Sequence, residues 1–133
     1  MQIKTNTMSP FENKIKILVA EDNEYNFELI KETLADENIE IFHAACGTEA
    51  VDVFLRNKDI HLLLLDIKMP GFSGYEILEK IRAVNPEIVA IAQTAYVISD
   101  ETESIKKAGF NELLMKPIDP NVLINTIRKL MEE

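Results

Sequence analysis

The stretch that decides the fold is HLLLLDIKMP, His61 to Pro70. Four successive leucines, Leu62 to Leu65, leave no polar face, so the segment reads as a strand buried on both sides, the habit of parallel sheets covered by helices. The run stops on a carboxylate, Asp66. A charge set against buried backbone needs a partner or a task.

Working outward, four more runs have strand length and apolar content: Ile15 to Ala20 (IKILVA), Ile39 to Ala44 (IEIFHA), Ile88 to Gln93 (IVAIAQ) and Glu112 to Met115 (ELLM). Between them, apolar residues recur at helical spacing: Phe27, Ile30 and Leu34; Ala50, Val51 and Phe54; Ile77, Leu78 and Ile81; Leu123, Ile127, Leu130 and Met131. The segment Ser99 to Ala108 has Ile105 as almost its only large apolar residue, which predicts a marginally packed, mobile helix. Asp22 or Asn23 can cap the first helix, Gly47-Thr48 precedes the second, Asn85-Pro86 closes the third and Gly109 follows the fourth. Strands alternating with helices imply right-handed βα crossovers, hence a parallel sheet with helices on both faces.

The chain has 133 residues, 47% of them hydrophobic, with four glycines and five prolines, which fits one compact domain. Residues 1–13 read as a tail or linker and 14–133 as the domain. Fourteen basic against 23 acidic residues give a formal charge of −9, a balance that repels nucleic acid and anionic membrane surfaces. No segment approaches the roughly 20 apolar residues of a membrane span, and the N-terminus lacks the apolar core of a signal peptide. The single cysteine, Cys46, has no internal disulfide partner. These features predict a soluble protein of the reducing, cytoplasmic compartment.

In an open α/β sheet the ligand crevice lies beyond the carboxyl ends of the strands. Strand one there meets Glu21-Asp22, strand three Asp66, strand four Thr94 and strand five Lys116-Pro117, so three carboxylates, a hydroxyl and an ammonium share one edge. Acids that close repel one another unless a cation intervenes. Oxygen ligands without His or Cys suit Mg²⁺, or Mn²⁺, rather than Zn²⁺. An oxygen-bound Mg²⁺ with open positions reads as a site for a phosphoryl group, with Asp66 as nucleophile, Lys116 neutralising phosphoryl oxygens and Thr94 donating to one of them. Taken singly, Asp22 could be a helix cap, Glu21 a solvated acid, Thr94 a turn hydroxyl and Lys116 a surface lysine; the joint pattern carries the weight. His43 and His61 lack partners at metal spacing, Cys46 reads as a small buried apolar residue, and Met69 as packing beneath the Asp66 loop.

In its motifs ILVAEDNEYN, LLLLDIKMPGFSGYE, IAQTA and GFNELLMKPI, in that order, the chain resembles the receiver domain of two-component response regulators across residues 14 to 132. EDN and KPI are similar to receivers attached to hybrid histidine kinases. The resemblance implies a flavodoxin-like, doubly wound (βα)5 fold with a five-stranded parallel sheet in the order 2-1-3-4-5. It implies that Asp66 accepts phosphate from a histidine of a sensor kinase or a histidine phosphotransfer protein. Glu21, Asp22, Asp66 and the backbone carbonyl of Lys68 are then expected around Mg²⁺, Lys116 on the phosphoryl oxygen before a cis Pro117, and Thr94 turned onto the phosphate. Such a domain is no enzyme in the usual sense but assists its own phosphorylation and dephosphorylation, as a monomer or weak homodimer, and shifts the face formed by the fourth helix and fifth strand. Three positions depart from the family's pattern or bear on phosphate lifetime: Leu113 where an aromatic is common, Tyr96 two beyond Thr94, and Lys68 two beyond Asp66. Two other classes compete. An aspartyl-phosphate hydrolase needs a second acid where Lys68 stands, and a flavin-binding protein needs a phosphate cradle where the acidic turn stands. A degenerate receiver used only for docking is the remaining alternative.

Overall fold

A computed structural model describes residues 13–95 and 99–132. The elements are β1 (Ile15–Ala20), α1 (Glu24–Leu34), β2 (Ile39–Ala44), α2 (Gly47–Arg56), β3 (Leu62–Asp66), α3 (Gly74–Arg82), β4 (Val89–Thr94), α4 (Ser99–Ala108), β5 (Glu112–Met115) and α5 (Pro120–Met131). All strand pairs are parallel and the sheet order is β2-β1-β3-β4-β5, the doubly wound order expected. Tyr96 and most of the expected N-terminal tail lie outside the described residues.

The leucine run explains the two cores. Successive side chains of a strand point to opposite faces. Leu63 and Leu65 join the cluster of Phe54 from α2 and Ile77, Leu78 and Ile81 from α3. Leu62 and Leu64 join Ile30 and Leu34 from α1 with Leu123 and Ile127 from α5. All four leucines are fully buried, and each contributes about 1.5–3 kcal/mol relative to exposure. The central strand thus binds both helical layers to one sheet.

Several boundaries differ from the sequence reading. The fourth strand runs from Val89 to Thr94, not Ile88 to Gln93. Arg82 Nη2 donates to the Ile88 carbonyl at 2.7 Å, which takes that residue's acceptor before the strand begins, while the Thr94 carbonyl accepts from Lys116 N at 2.8 Å. Gly47 does not precede α2 but is its first residue, after an N-cap, Cys46, that makes no side-chain cap bond. A Cβ on Gly47 would stand 2.2 Å from the Phe72 carbonyl oxygen, so the helix starts where only glycine lets the β3–α3 loop approach. The third helix ends at Arg82, before Asn85-Pro86, and Val84 and Asn85 fold back onto the Ile81 carbonyl at 2.9 and 2.8 Å. Gly109, at φ +100°, follows α4 as expected. In α4 the apolar anchor is Ile105, which is buried in the α2–α3 core. Cys46 is half-buried rather than buried, with its Sγ 3.3 Å from Thr48 Oγ1. Among the described residues no helix is long and apolar enough to cross a membrane.

Candidate functional site

In this strand order the winding direction reverses between β1 and β3, so the crevice opens at their carboxyl ends. That is where Glu21, Asp22 and Asp66 stand. Asn23 settles the division of labour in the first turn: it is the N-cap of α1, its Oδ1 accepting from Asn26 N at 2.9 Å, which leaves Asp22 free of capping. Asp22 is solvent-exposed while Glu21 is wholly buried, and the three acids each offer an oxygen within 4.8 Å of the others.

Lys116 closes the group from β5. Its Nζ lies 2.7 Å from Asp66 Oδ2, and 3.2 and 3.3 Å from Glu21 Oε1 and Oε2. Only the contact to Oε2 has hydrogen-bond geometry, and Oε2 also accepts from Asn23 N at 3.1 Å, so Oε1 is buried with no hydrogen-bond partner among the described residues. The Lys116–Pro117 bond is cis, as the resemblance implied. Burial holds the Glu21 carboxyl above its ordinary range, reinforced by the Asp66 charge, against the Asn23 amide and Lys116, which pull it down. Burial also disfavours the Lys116 charge. The hydrogen bond and charge of Asp66, with those of Glu21, outweigh it and raise the ammonium above its usual 10.5.

The backbone around Asp66 is fixed from three sides. Lys68 N donates to Asp66 Oδ1 at 3.2 Å. Gly74 N donates to the Ile67 carbonyl at 2.9 Å, and a Cβ on Gly74 would stand 2.7 Å from the Asp66 carbonyl oxygen, so α3 starts hard against Asp66. Ser73 and Glu76 form a capping box there. The far end of the loop is tied to α2 by Gly47 N donating to the Pro70 carbonyl at 2.8 Å. Met69 packs against the α2–α3 core beneath this loop, as read from the sequence.

The expected residues therefore divide clearly. Glu21, Asp22, Asp66 and Lys116 are brought together by side-chain geometry. Thr94 ends β4 at the same edge, buried, one residue beyond the register partner of Asp66. Lys68 meets Asp66 through its amide. Leu113, where an aromatic was the family's habit, is half-buried against the α2–α3 core.

Other residues at this edge had no role assigned from the sequence. Gly47 was read from the sequence only as a helix boundary and Gly74 only as part of a motif; the need for glycine at each shows once the approaching backbone is known. His43 stacks on Phe27 with ring centroids 3.6 Å apart and places Nε2 2.9 Å from the Glu21 carbonyl oxygen, as a support for the acidic turn and not as a metal ligand. Gln93 had a visible signal, a polar residue in an otherwise apolar buried strand.

The donor set fits a hard divalent cation. Three carboxylates against one ammonium leave two negative charges, all donors are oxygens, and a buried Glu21 oxygen has no hydrogen bond.

Comparison with known proteins agrees with this geometry. Residues 17–128 match the family described as response regulator receiver domain. The chain is 31% identical over 116 residues to sporulation initiation phosphotransferase F of Bacillus subtilis (strain 168), covering 87% of this chain and 93% of that protein. It is 37% identical over 130 residues to hybrid signal transduction histidine kinase I of Dictyostelium discoideum, covering 89% of this chain but only 8% of that protein. Two further relatives at 32% identity are spanned to 28% and 24% of their lengths. Among solved structures, a CheY-like response regulator receiver domain protein from Methanospirillum hungatei JF-1 superposes with a TM-score of 0.80 at 29% identity, over 89% of this chain and 94% of that one. With the family match spanning residues 17–128 and the sheet in the order 2-1-3-4-5, the chain belongs to the receiver domain family of two-component response regulators.

Proposed function

We propose that Asp66 is the phosphoacceptor of a His-to-Asp relay and that the domain is a switch operated by that phosphate. One observation carries the reading: a nearly buried carboxylate, 5% exposed, is held 2.7 Å from a lysine and beside two further acids at the sheet's switch point. In the transfer, an Asp66 carboxylate oxygen forms a bond to phosphorus as the bond from phosphorus to the donor imidazole nitrogen breaks. The imidazole leaves with the electron pair and is protonated.

Glu21, Asp22 and Asp66, with the Lys68 carbonyl, are the groups to hold Mg²⁺, which when bound supplies positive charge for the phosphoryl oxygens. Lys116, 2.7 Å from Asp66, adds a second positive charge for those oxygens. The Thr94 hydroxyl is the donor for a phosphoryl oxygen, and its movement onto the phosphate would bias the face of α4 and β5 between two states. The donors are the sensor histidine kinases or histidine phosphotransfer proteins that serve this family. Lys68 stands where an aspartyl-phosphate hydrolase needs its second acid, which favours a switch over a turnover enzyme. The intact acid group with Lys116 favours it over a docking-only receiver.

Incubation with Mg²⁺ and acetyl phosphate, followed by mass spectrometry, should find one alkali-labile phosphoryl group on Asp66. Equal labelling of Asp66→Asn would rule the assignment out.

A further inference from the structure

Four polar residues are buried at or beside this edge, and phosphotransfer uses Glu21, Asp66 and Thr94. The fourth, Gln93, is 1% exposed, and its Nε2 has no hydrogen-bond partner among the described residues. Leaving a buried amide donor unmet costs about 1–3 kcal/mol, so its place in a Val-Ala-Ile-Ala strand calls for an acceptor. Register sets its surroundings. Gln93 is level with Asp66 on β3 and with Leu114 on β5. Lys116 starts on the β5 side and reaches Asp66 on β3 and Glu21 after β1, so its stem must cross β4 where Gln93 stands.

Both residues line one small pocket between α1 and α5, with Asn26, Thr33, Ile118 and Leu123 around it. Its interior of about 20 Å³ admits one water molecule and little more. A water there has several polar groups to bond. It can accept from the Gln93 amide, and the Thr33 hydroxyl, whose own proton goes to the Leu29 carbonyl at 2.8 Å, keeps lone pairs to receive one of its hydrogens.

We propose that this pocket is a binding site for a single ordered water, held by Gln93 Nε2 and the α1 polar groups, and that Gln93 through it is a positioning residue for Lys116. The water fills the space beneath the lysine stem and keeps the stem laid across β4, so that the ammonium arrives at Asp66 already oriented. The effect on phosphotransfer rests on the phosphoacceptor reading above; the water site does not.

The test uses the whole chain without phosphodonor first. High-resolution crystallography should show a water within hydrogen-bond distance of Gln93 Nε2, and a dry pocket with that amide bonded to protein would overturn the site. In protein with ¹⁵N-labelled lysine side chains, Gln93→Leu should shift or broaden the Lys116 ammonium signal, a change that general loosening elsewhere would not single out. Gln93→Met, similar in shape and without a donor, serves if the leucine variant does not fold. Phosphorylation by acetyl phosphate at saturating Mg²⁺ should then slow by about tenfold, less than a full ångström of displacement would cost. An unchanged ammonium signal with an unchanged rate in a folded variant overturns the positioning role. Failure of the wild-type protein to accept phosphate would count against the phosphoacceptor reading instead, with the water and ammonium results unaffected.

Discussion

Replacing Lys116 by methionine keeps an unbranched stem of similar length and removes the ammonium that pairs with Asp66 and Glu21. Lys116 Nζ stands 2.7 Å from Asp66 and 3.2 Å from Glu21, and both acids are buried. Carboxylate oxygens within 4.8 Å of one another repel by about 3.5 kcal/mol per ionised pair at an effective dielectric of ~20. Breaking a buried ion pair by removing one partner costs about 3–5 kcal/mol, a large part of the roughly 5–15 kcal/mol that holds a domain folded. Proton uptake by Glu21, whose carboxyl already sits above its ordinary range, sets the upper limit on that loss. Thermal unfolding followed by circular dichroism in EDTA should therefore show Tm lowered by roughly 10–20 °C. Mg²⁺ at a hundred times its Kd stabilises any single-site protein by about 2.7 kcal/mol, and the variant, carrying one more uncompensated negative charge, should reach that gain at a lower Mg²⁺ concentration than wild type. A metal-free variant within about 1 kcal/mol of wild type, or one that needs more Mg²⁺, would refute the view that lysine and cation share the same electrostatic task.

Asp22 is exposed and makes no cap, so Asp22→Ala should leave metal-free stability within about 0.5 kcal/mol while shifting the Mg²⁺ titration to higher concentration; an unmoved midpoint removes Asp22 from the metal site. Glu21 holds its proton more tightly when folded than when unfolded, so its ionisation should lower metal-free stability as pH rises from about 4.5 through its raised folded value, then level off. Glu21→Gln should abolish that decline in urea unfolding measured across this range while weakening Mg²⁺ binding, and a wild-type stability that rises through the same window would reverse the sign. Gly74→Ala forces a methyl to 2.7 Å from the Asp66 carbonyl oxygen, which should cost about 1–3 kcal/mol and slow phosphorylation of the folded protein together. A rate equal to wild type would show that the Asp66 loop tolerates displacement.

Much of this site was legible because it depends on strand direction alone. Parallel strands present their carboxyl ends to one edge, so the residues that follow IKILVA, LLLL, IVAIAQ and ELLM had to meet, whatever the loops between them did. The features that stayed hidden depend on approach from a distance. Ile88 is apolar enough to begin a strand, but Arg82 takes its carbonyl first. Cys46 passes for a core residue by composition, yet it sits at a helix start where its sulfur meets Thr48. Asp22 and Asn23 are equivalent as caps by type, and only the geometry of the turn gives the cap to Asn23 and leaves its neighbour available as a ligand. Gly47 reads from sequence as a helix boundary, whereas its cause is the Phe72 backbone brought in from the next crossover.

The pleat adds a constraint that strand direction does not supply. Val19 pairs with Leu64 and Ala20 with Leu65, so Glu21, just past the end of β1, follows on beside Asp66, the last residue of β3. Asp66 is level in turn with Gln93, and Gln93 with Leu114, two residues before Lys116. By the two-residue period, Glu21, Asp66, Gln93 and Lys116 share the face of Ile17, Leu64, Ile91 and Leu114, the face that α1 and α5 cover. A slip of one residue in β3 would send Asp66 to the α2–α3 side and separate it from Lys116, and would at the same time exchange Leu62 and Leu64 with Leu63 and Leu65 between the two cores. Since all four are leucines, that exchange carries little penalty from side-chain type. Register is then held by what flanks the run: Ile60 at one end, and Gly74 pressed against the Asp66 carbonyl at the other. The glycine that gives α3 its close approach thus also helps to decide which face of the sheet receives Asp66.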